Sequence, residues 1–217
     1  MRVLASLLAL LMLLVAESAA AQSRSAHGTL FEPKDLGLLE GPDRDLWQLP
    51  GQIMDALGVA EGSAVADIGA GGGWFTIRLA RRVGPNGTVY AEDVQPQMVE
   101  ATGRRVSKEG LRNVQTKLGK EDDPNLPPGV LDAALIVDTY HEIERPVQLL
   151  RNIARSLKPQ GRIGVVDFKK DGLGPGPALE DRPDPDLIVR DAEAAGLRLV
   201  RRETFLPYQF LLVFSRQ

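Results

Sequence analysis

A short apolar segment that runs straight into a cluster of glycines constrains this chain most. Residues 64–68 are apolar apart from Asp67 and predict a buried strand, and residues 69–73 read Gly-Ala-Gly-Gly-Gly. A helical pattern follows from residue 74, with apolar side chains on one face. Glycines at such a turn let the backbone approach a ligand closely, and the start of the helix offers free N–H groups. The segment therefore predicts a ligand-binding turn.

The rest of the chain alternates between strand and helix patterns, which is typical of a parallel sheet covered on both faces. The predicted strands are residues 64–68, 88–93, 114–118, 131–138, 162–168, 197–205 and 208–215. Only Leu206 and Pro207 separate the last two, which permits an antiparallel pair but no crossover helix. We expect an α/β, Rossmann-like three-layer sandwich. Its seven-stranded sheet should be mostly parallel, with an antiparallel C-terminal strand.

The glycine turn departs from two common nucleotide-binding patterns. In the dinucleotide pattern G-x-G-x-x-G, the last glycine would fall on Trp74 or on Thr76, depending on which glycine starts the count. A phosphate-binding loop would need Gly-Lys-Ser/Thr, and this chain has no such sequence there. A dinucleotide-dependent oxidoreductase therefore remains only as an alternative.

The pattern that does fit is acidic-x-Gly-x-Gly-x-Gly, and with it the chain resembles the class I S-adenosylmethionine-dependent methyltransferases over residues 45–214. The resemblance implies S-adenosyl-L-methionine as cofactor. It implies that Asp67 faces the amino group of the methionine moiety. It also implies that Gly69, Gly71 and Gly73 let that moiety lie against the backbone.

Further acidic residues enter through the same resemblance. Asp93 ends the second predicted strand just before Val-Gln-Pro and fits the acid that binds both ribose hydroxyls better than Glu92 does. Helix capping is the alternative role for Asp93. Asp122 would meet the adenine amine, although charge runs usually just face water.

The fourth predicted strand ends in Asp138, followed by Thr-Tyr-His-Glu. Residues at this end of a strand line the ligand crevice, and in related methyltransferases the stretch borders the sulfonium and the acceptor. Asp138 is therefore expected at the cofactor, and Tyr140 and His141 at the acceptor side. His141 is suited to act as a general base near neutral pH, and a purely structural histidine is the alternative.

Two flanking segments are also expected at the site. The resemblance implies that the segment with Arg44, Trp47 and Gln48 lies over the cofactor, with simple packing of the tryptophan as the alternative. Residues 172–186 are rich in Gly and Pro and are expected on the acceptor side, because long loops in compact domains tend to be functional. No metal is predicted, since Phe168 stands where a metal-dependent enzyme would have Asn.

Composition restricts the remaining functions. The net charge of −3 shows no basic excess, which argues against nucleic-acid binding. The chain has no cysteine and 2 histidines, so thiol chemistry and a histidine-rich metal site are excluded. We expect methyl transfer to a small-molecule acceptor. An exported protein that binds the cofactor without catalysis is the main alternative, and the oligomeric state is left open.

The N-terminus has the three regions of a secretory signal. Arg2 is followed by a nearly continuous apolar run over residues 3–15, and three alanines precede Gln22. The run is shorter than the roughly 20 residues that span a bilayer. The expected domains are a signal peptide (1–21), a linker and N-terminal cap segment (22–57) and the methyltransferase domain (58–217). The protein is then periplasmic or secreted and free of the membrane after cleavage, with an N-terminal membrane anchor as the alternative.

Export gives a direct prediction about the mature protein. Mass spectrometry of the protein from its native host should find an N-terminus near Gln22, because the alanines before it form a signal-peptidase site. Intact Met1 in the cytosolic fraction would contradict export.

Overall fold

Residues 30–217 are described by a computed structural model, and the expected signal peptide lies outside them. In this part of the chain the strands are β1 (Ala64–Ile68), β2 (Thr88–Asp93), β3 (Val114–Leu118), β4 (Leu131–Val137), β5 (Leu157–Phe168), β6 (Leu197–Glu203) and β7 (Gln209–Arg216). The α-helices are α1 (Arg44–Gln48), α2 (Pro50–Ala56), α3 (Trp74–Val83), α4 (Pro96–Lys108), α5 (Pro146–Ser156) and α6 (Pro185–Ala194). Short 3-10 helices cover Pro33–Leu39 and Tyr140–Glu142. None of the helices between residues 30 and 217 is long and apolar enough to cross a membrane.

The described strands form one sheet in the order β3-β2-β1-β4-β5-β7-β6. The first five strands of this order are parallel, and β7 runs antiparallel to both β5 and β6. The fold class expected from the sequence is confirmed. The chain reverses direction across the sheet between β1 and β4, and ligands of such sheets bind in the crevice at the carboxyl ends of the strands there.

Two apolar cores cover the two faces of the sheet. One core holds α5 and α6 through residues such as Leu150, Ile153 and Ile188. The other holds α3 together with α2, whose Ile53 is fully buried beside Leu79. The segment before residue 57 therefore contributes to the core, in addition to the linker role expected for it.

Strand β5 is longer than the apolar pattern predicts. It begins at Leu157, five residues before the expected start, and its register with β4 shifts between Leu131 and Ala133. Gly161 packs so closely on the Leu131 carbonyl that an added Cβ would lie 2.8 Å from that oxygen. Leu157 pairs with Leu131 and Arg162 with Ala133, so the residues around Pro159 and Gly161 form an irregular bulge within the strand.

Tyr140 does not line the acceptor side, so that expectation was wrong. Its side chain is 1% exposed and belongs to the core on the α5–α6 side of the sheet. The hydroxyl donates a 2.9 Å hydrogen bond to Asp191 of α6. Burial, followed by the charge of Asp191, raises the pKa of the phenol, so it stays protonated. The residue after a strand points to either face of the sheet, and sequence position does not decide which.

Tyr140→Phe should lower the free energy of unfolding by about 1–2 kcal/mol, because it leaves the Asp191 carboxylate without its buried donor. Urea denaturation measures the loss. S-adenosylhomocysteine affinity, measured by calorimetry, should stay unchanged. A large loss of affinity with normal stability would contradict this result and would show that Tyr140 contributes to the binding site.

Candidate active site

A cavity of about 1010 Å³ opens at the carboxyl ends of β1, β2, β4 and β5. Its lining includes the glycine turn, the end of β2, the residues after β4, and the segments around Trp47 and Pro175. This is the crevice that the strand order predicts. The volume is at the upper end of the roughly 300–1,000 Å³ common for ligand sites, so it suits two ligands side by side.

The glycine turn forms one wall of the cavity. Gly69 and Gly71 line it and have φ values of 68° and 54°, which strain any other residue. Gly69 also lies so close to Thr139 that a Cβ would overlap that side chain. Gly73 departs from its expected role, since it does not line the cavity. It is the N-cap residue of α3 and packs against Thr102, so the absence of a side chain allows close packing against α4.

Asp93 ties the glycine turn to the end of β2. Its carboxylate accepts hydrogen bonds from the backbone N–H of Gly71 and of Gln95, both at 2.9 Å. Thr102 supports the same turn by donating to the Gly71 carbonyl at 2.8 Å. Asp93 lines the cavity with acceptor capacity to spare, because each carboxylate oxygen accepts more than one bond. The side chain caps no helix, since Gln95 is the N-cap residue of α4.

Asp67 lies at the base of the turn. It is 2% exposed, lines the cavity, and accepts a 2.6 Å hydrogen bond from the Thr76 hydroxyl of α3. Burial raises its pKa to about 6, against the lowering effects of Thr76 and of the Arg44 charge. Asp67 is therefore ionised at neutral pH and places negative charge beside the turn.

Glu92 has a more unusual environment, which the sequence did not indicate. Its side chain is 2% exposed, and its Oε1 atom has no hydrogen-bond partner within the described residues. The side chain packs where a Cβ of Gly119 would lie, so a larger residue at that position would displace it. Burial and then the charge of Asp93 raise the pKa of Glu92 to about 8, so it is largely neutral at neutral pH.

Asp138 joins the N-terminal segment to the sheet. Its carboxylate accepts from Arg44 at 3.2 Å, from Gln48 at 3.1 Å and from Gln209 of β7. The residue has a left-handed backbone, with φ of 54°, and burial raises its pKa to about 6 despite the Arg44 charge. Asp138 lines the cavity as expected, but the protein already occupies both of its oxygens.

His141 lines the cavity and is paired with Asp167 at the end of β5. Its Nδ1 atom lies 3.2 Å from an oxygen of Asp167, which is fully buried, and the second oxygen of Asp167 accepts from the Phe168 N–H at 2.8 Å. Burial lowers the pKa of the imidazole, but the hydrogen bond and charge of Asp167, with the charges of Glu142 and Asp138, raise it overall. The spacing of residues along the sequence does not indicate that Asp167 pairs with His141.

Asp122 lies away from the cavity. Its carboxylate pairs with Arg145 at 3.1 Å, and its carbonyl accepts from Asn152 at 2.7 Å. The neighbouring Lys120 and Glu121 line the cavity instead. Neighbouring residues of a turn point in different directions, so Glu121 faces the cavity and Asp122 does not. The sequence does not indicate which of the two faces inward.

Residues 30–41, which were expected to be part of a linker, cover the glycine turn. We call this segment the strap. The Phe31 N–H donates to Glu142 at 3.2 Å, and its carbonyl accepts from Gln95 at 3.0 Å. Leu36 packs over Gly72, where an added Cβ would lie 3.3 Å from it. The strap thus bridges the ends of β2 and β4 and narrows the cavity.

Metal ligation finds no support in this region. Across residues 30–217, no three His, Cys, Asp or Glu side chains converge as a metal site. Both oxygens of Asp138 are engaged by Arg44, Gln48 and Gln209.

Known proteins share this arrangement. Residues 65–161 match a family model described as a methyltransferase domain. A crystal structure of a SAM-dependent methyltransferase from Aquifex aeolicus superposes with a TM-score of 0.81 at 31% identity, covering 85% of this chain and 98% of that one.

Curated relatives match over a shorter stretch. Nocamycin O-methyltransferase of Saccharothrix syringae is 32% identical over 60% of this chain and 45% of its own length. The ubiquinone/menaquinone biosynthesis C-methyltransferase UbiE of Pasteurella multocida is 33% identical over 56% of this chain and 46% of its own. The chain thus spans about half the length of these two relatives. The family model, the Aquifex structure and the glycine turn with its acids agree, and the chain belongs to the class I S-adenosylmethionine-dependent methyltransferases.

Proposed function

We propose that this chain transfers a methyl group from S-adenosylmethionine to a small-molecule acceptor, with His141 as the base that removes the acceptor's proton. The observation that carries the proposal is the His141–Asp167 pair, which opens onto the same cavity as the glycine turn and Asp93. The names of the two curated relatives support small-molecule acceptors, with methylation at oxygen in one and at carbon in the other.

The residues of the cavity fit this cofactor. Gly69 and Gly71 leave the wall bare, so an extended methionine chain has room against the backbone. Asp93 has lone pairs free for two ribose hydroxyls. The charge of Asp67 suits a ligand that bears a sulfonium and an ammonium group.

The chain's own residues then position the acceptor and move one proton. When bound, S-adenosylmethionine supplies a methyl group already activated by positively charged sulfur, so the protein needs no electrophile of its own. Asp167 accepts a hydrogen bond from the Nδ1–H of His141 and orients the ring, which leaves Nε2 as the basic atom. Nε2 takes the proton from the acceptor as the acceptor attacks. Holding the reacting groups together supplies much of the remaining acceleration.

Cofactor binding should depend on the glycine turn and Asp93. Gly71→Val should abolish S-adenosylhomocysteine binding, because a β-branched residue cannot adopt φ of 54° without strain. Asp93→Ala should weaken binding by about 1–3 kcal/mol through loss of a charged acceptor. Calorimetry measures both.

The matched control for Asp93→Ala is Asp186→Ala, an exposed carboxylate that pairs with Arg202. It should bind normally. Asp122→Ala should also keep its affinity for S-adenosylhomocysteine. A loss of affinity as large as that of Asp93→Ala would support the role at the adenine amine that the resemblance implied for Asp122. Full affinity in both the Gly71 and Asp93 variants would contradict the cofactor site.

The base predicts a pH profile. A raised pKa means that the active, neutral imidazole forms only as the pH rises through a value above 6.5, so kcat should increase across that range. Asp167→Asn should move the inflection to lower pH, because it removes the carboxylate that favours the imidazolium. His141→Ala should lower kcat by roughly a hundredfold or more and leave S-adenosylhomocysteine affinity unchanged.

Initial rates with any acceptor that is turned over measure this profile. They should be taken between pH 5 and 9, which extends about two units to either side of the ordinary histidine pKa. Unaltered turnover in His141→Ala together with a lower melting temperature would make His141 structural. Cofactor binding with no turnover on any acceptor would favour the non-catalytic alternative. Export remains a separate proposal from residues 1–21.

A further inference from the structure

One side of the cavity is an aromatic wall made of Trp47 and Phe168, with Tyr208 behind it. The ring of Trp47 lies 6.0 Å from that of Phe168 and 6.2 Å from that of Tyr208, both in tilted arrangements. Trp47 and Phe168 line the cavity, and Phe168 directly follows Asp167, the partner of His141. The wall therefore begins beside the proposed base and lies on the opposite side of the cavity from the ends of β2 and β3.

A Gly/Pro loop of residues 169–184 lies flat against this wall. Gly176 has φ of 120°, and an added Cβ would come within 2.8 Å of the Phe168 ring. Gly174, with φ of 71°, lies even closer to the ring of Tyr208, where an added Cβ would overlap that ring. The flanking Pro175 and Pro177 line the cavity. The loop thus adds a second apolar surface beside the rings.

Arg182 holds the loop in this shape. It is 5% exposed in a loop whose other residues are mostly exposed. Its guanidinium donates to the carbonyls of Lys169 at 2.9 Å, of Leu173 at 3.1 Å and of Pro177 at 3.1 Å. Within residues 30–217, no carboxylate lies in ion-pair distance of it. The planar fork of arginine reaches several carbonyls at once, which the single ammonium of lysine cannot do.

The cations on this side of the cavity have no free hydrogen-bond donor for an anionic ligand. The guanidinium of Arg44 is engaged by Asp138. That of Arg182 lies 5.2 Å from the centre of the Phe168 ring, but its N–H groups donate to loop carbonyls. Lys120 also lines the cavity, but it follows β3 at the opposite end. A carboxylate or phosphate against the wall would lose its hydration without gaining a hydrogen bond from either guanidinium. An aromatic ring would instead find aromatic and proline surfaces.

We propose that the acceptor is an uncharged aromatic compound with a weakly acidic hydroxyl, whose ring packs against Trp47 and the two prolines of the Gly/Pro loop that line the cavity. The hydroxyl meets His141, and Arg182 is the positioning residue that builds the loop surface. This inference rests on the proposed methyl transfer and names its substrate class. Deprotonation of a phenol makes both its oxygen and its ring carbons nucleophilic. The substrate class therefore covers both O- and C-methylation.

A matched panel tests the class. α-Naphthol, α-naphthoate and α-naphthylmethylammonium share one ring system and differ in charge. Release of S-adenosylhomocysteine from the full chain should be faster with α-naphthol by about tenfold or more in kcat/KM. Faster turnover of the carboxylate or the amine would overturn the inference and leave methyl transfer standing. Turnover of none would also overturn it, and calorimetry with S-adenosylhomocysteine would then show whether the cofactor site itself fails.

The positioning role is tested by variants of the loop and wall. Arg182→Lys should raise the KM for α-naphthol about tenfold, change kcat less, and keep the S-adenosylhomocysteine affinity. Arg190→Lys, on the exposed side of α6, is the matched control and should behave as wild type. Trp47→Leu should raise the same KM, which keeps the test decisive if Arg182→Lys folds poorly. An unchanged KM in Trp47→Leu, or in folded Arg182→Lys, would overturn the proposal.

Discussion

The carboxylate of Asp138 brings together three parts of the chain that are distant in sequence. Arg44 and Gln48 reach it from α1, and Gln209 reaches it from β7. The cavity lies between the sheet edge and these N-terminal residues, so its shape depends on this contact. Buried ion pairs contribute little net stability, but a buried charge that loses its partner is costly. The network therefore holds one arrangement of α1 and disfavours alternatives.

Acidic residues dominate the floor of the cavity. Burial is the main cause of the raised pKa values of four of them, Asp67, Asp93, Asp138 and Glu142. Burial also raises the pKa of Glu92, to about 8. Burial of these acids destabilises the unliganded protein, because carboxylates taken out of water lose their hydration. A cationic ligand offsets that loss. The cost of assembling the acids thus becomes affinity for a sulfonium cofactor, while the aromatic wall, which lacks such acids, suits an uncharged acceptor.

Much of the fold could be predicted because its signals are local. The ranges of β1, β2 and β3 follow from short apolar or alternating runs bounded by Gly, Pro and Asp, and the structure has them at the predicted residues. The cavity lining at Gly69, Gly71, Asp93 and His141 was also predictable, since carboxyl ends of parallel strands meet at one edge. The start of β5 and the strap were harder to predict from the sequence. A single pair between Leu157 and Leu131 extends β5, and long-range hydrogen bonds hold the strap.

The sequence by itself determined the fold class, the glycine turn and the strand ends at which chemistry occurs, because spacing along one element decides them. Only the tertiary structure decided which side chains at those ends face the cavity. It turned Tyr140 into the core, set Asp122 against Arg145, and gave His141 its partner Asp167 across a strand pair. It also folded the Gly/Pro loop around Arg182. These outcomes depend on contacts between residues far apart in the chain, which local patterns do not encode.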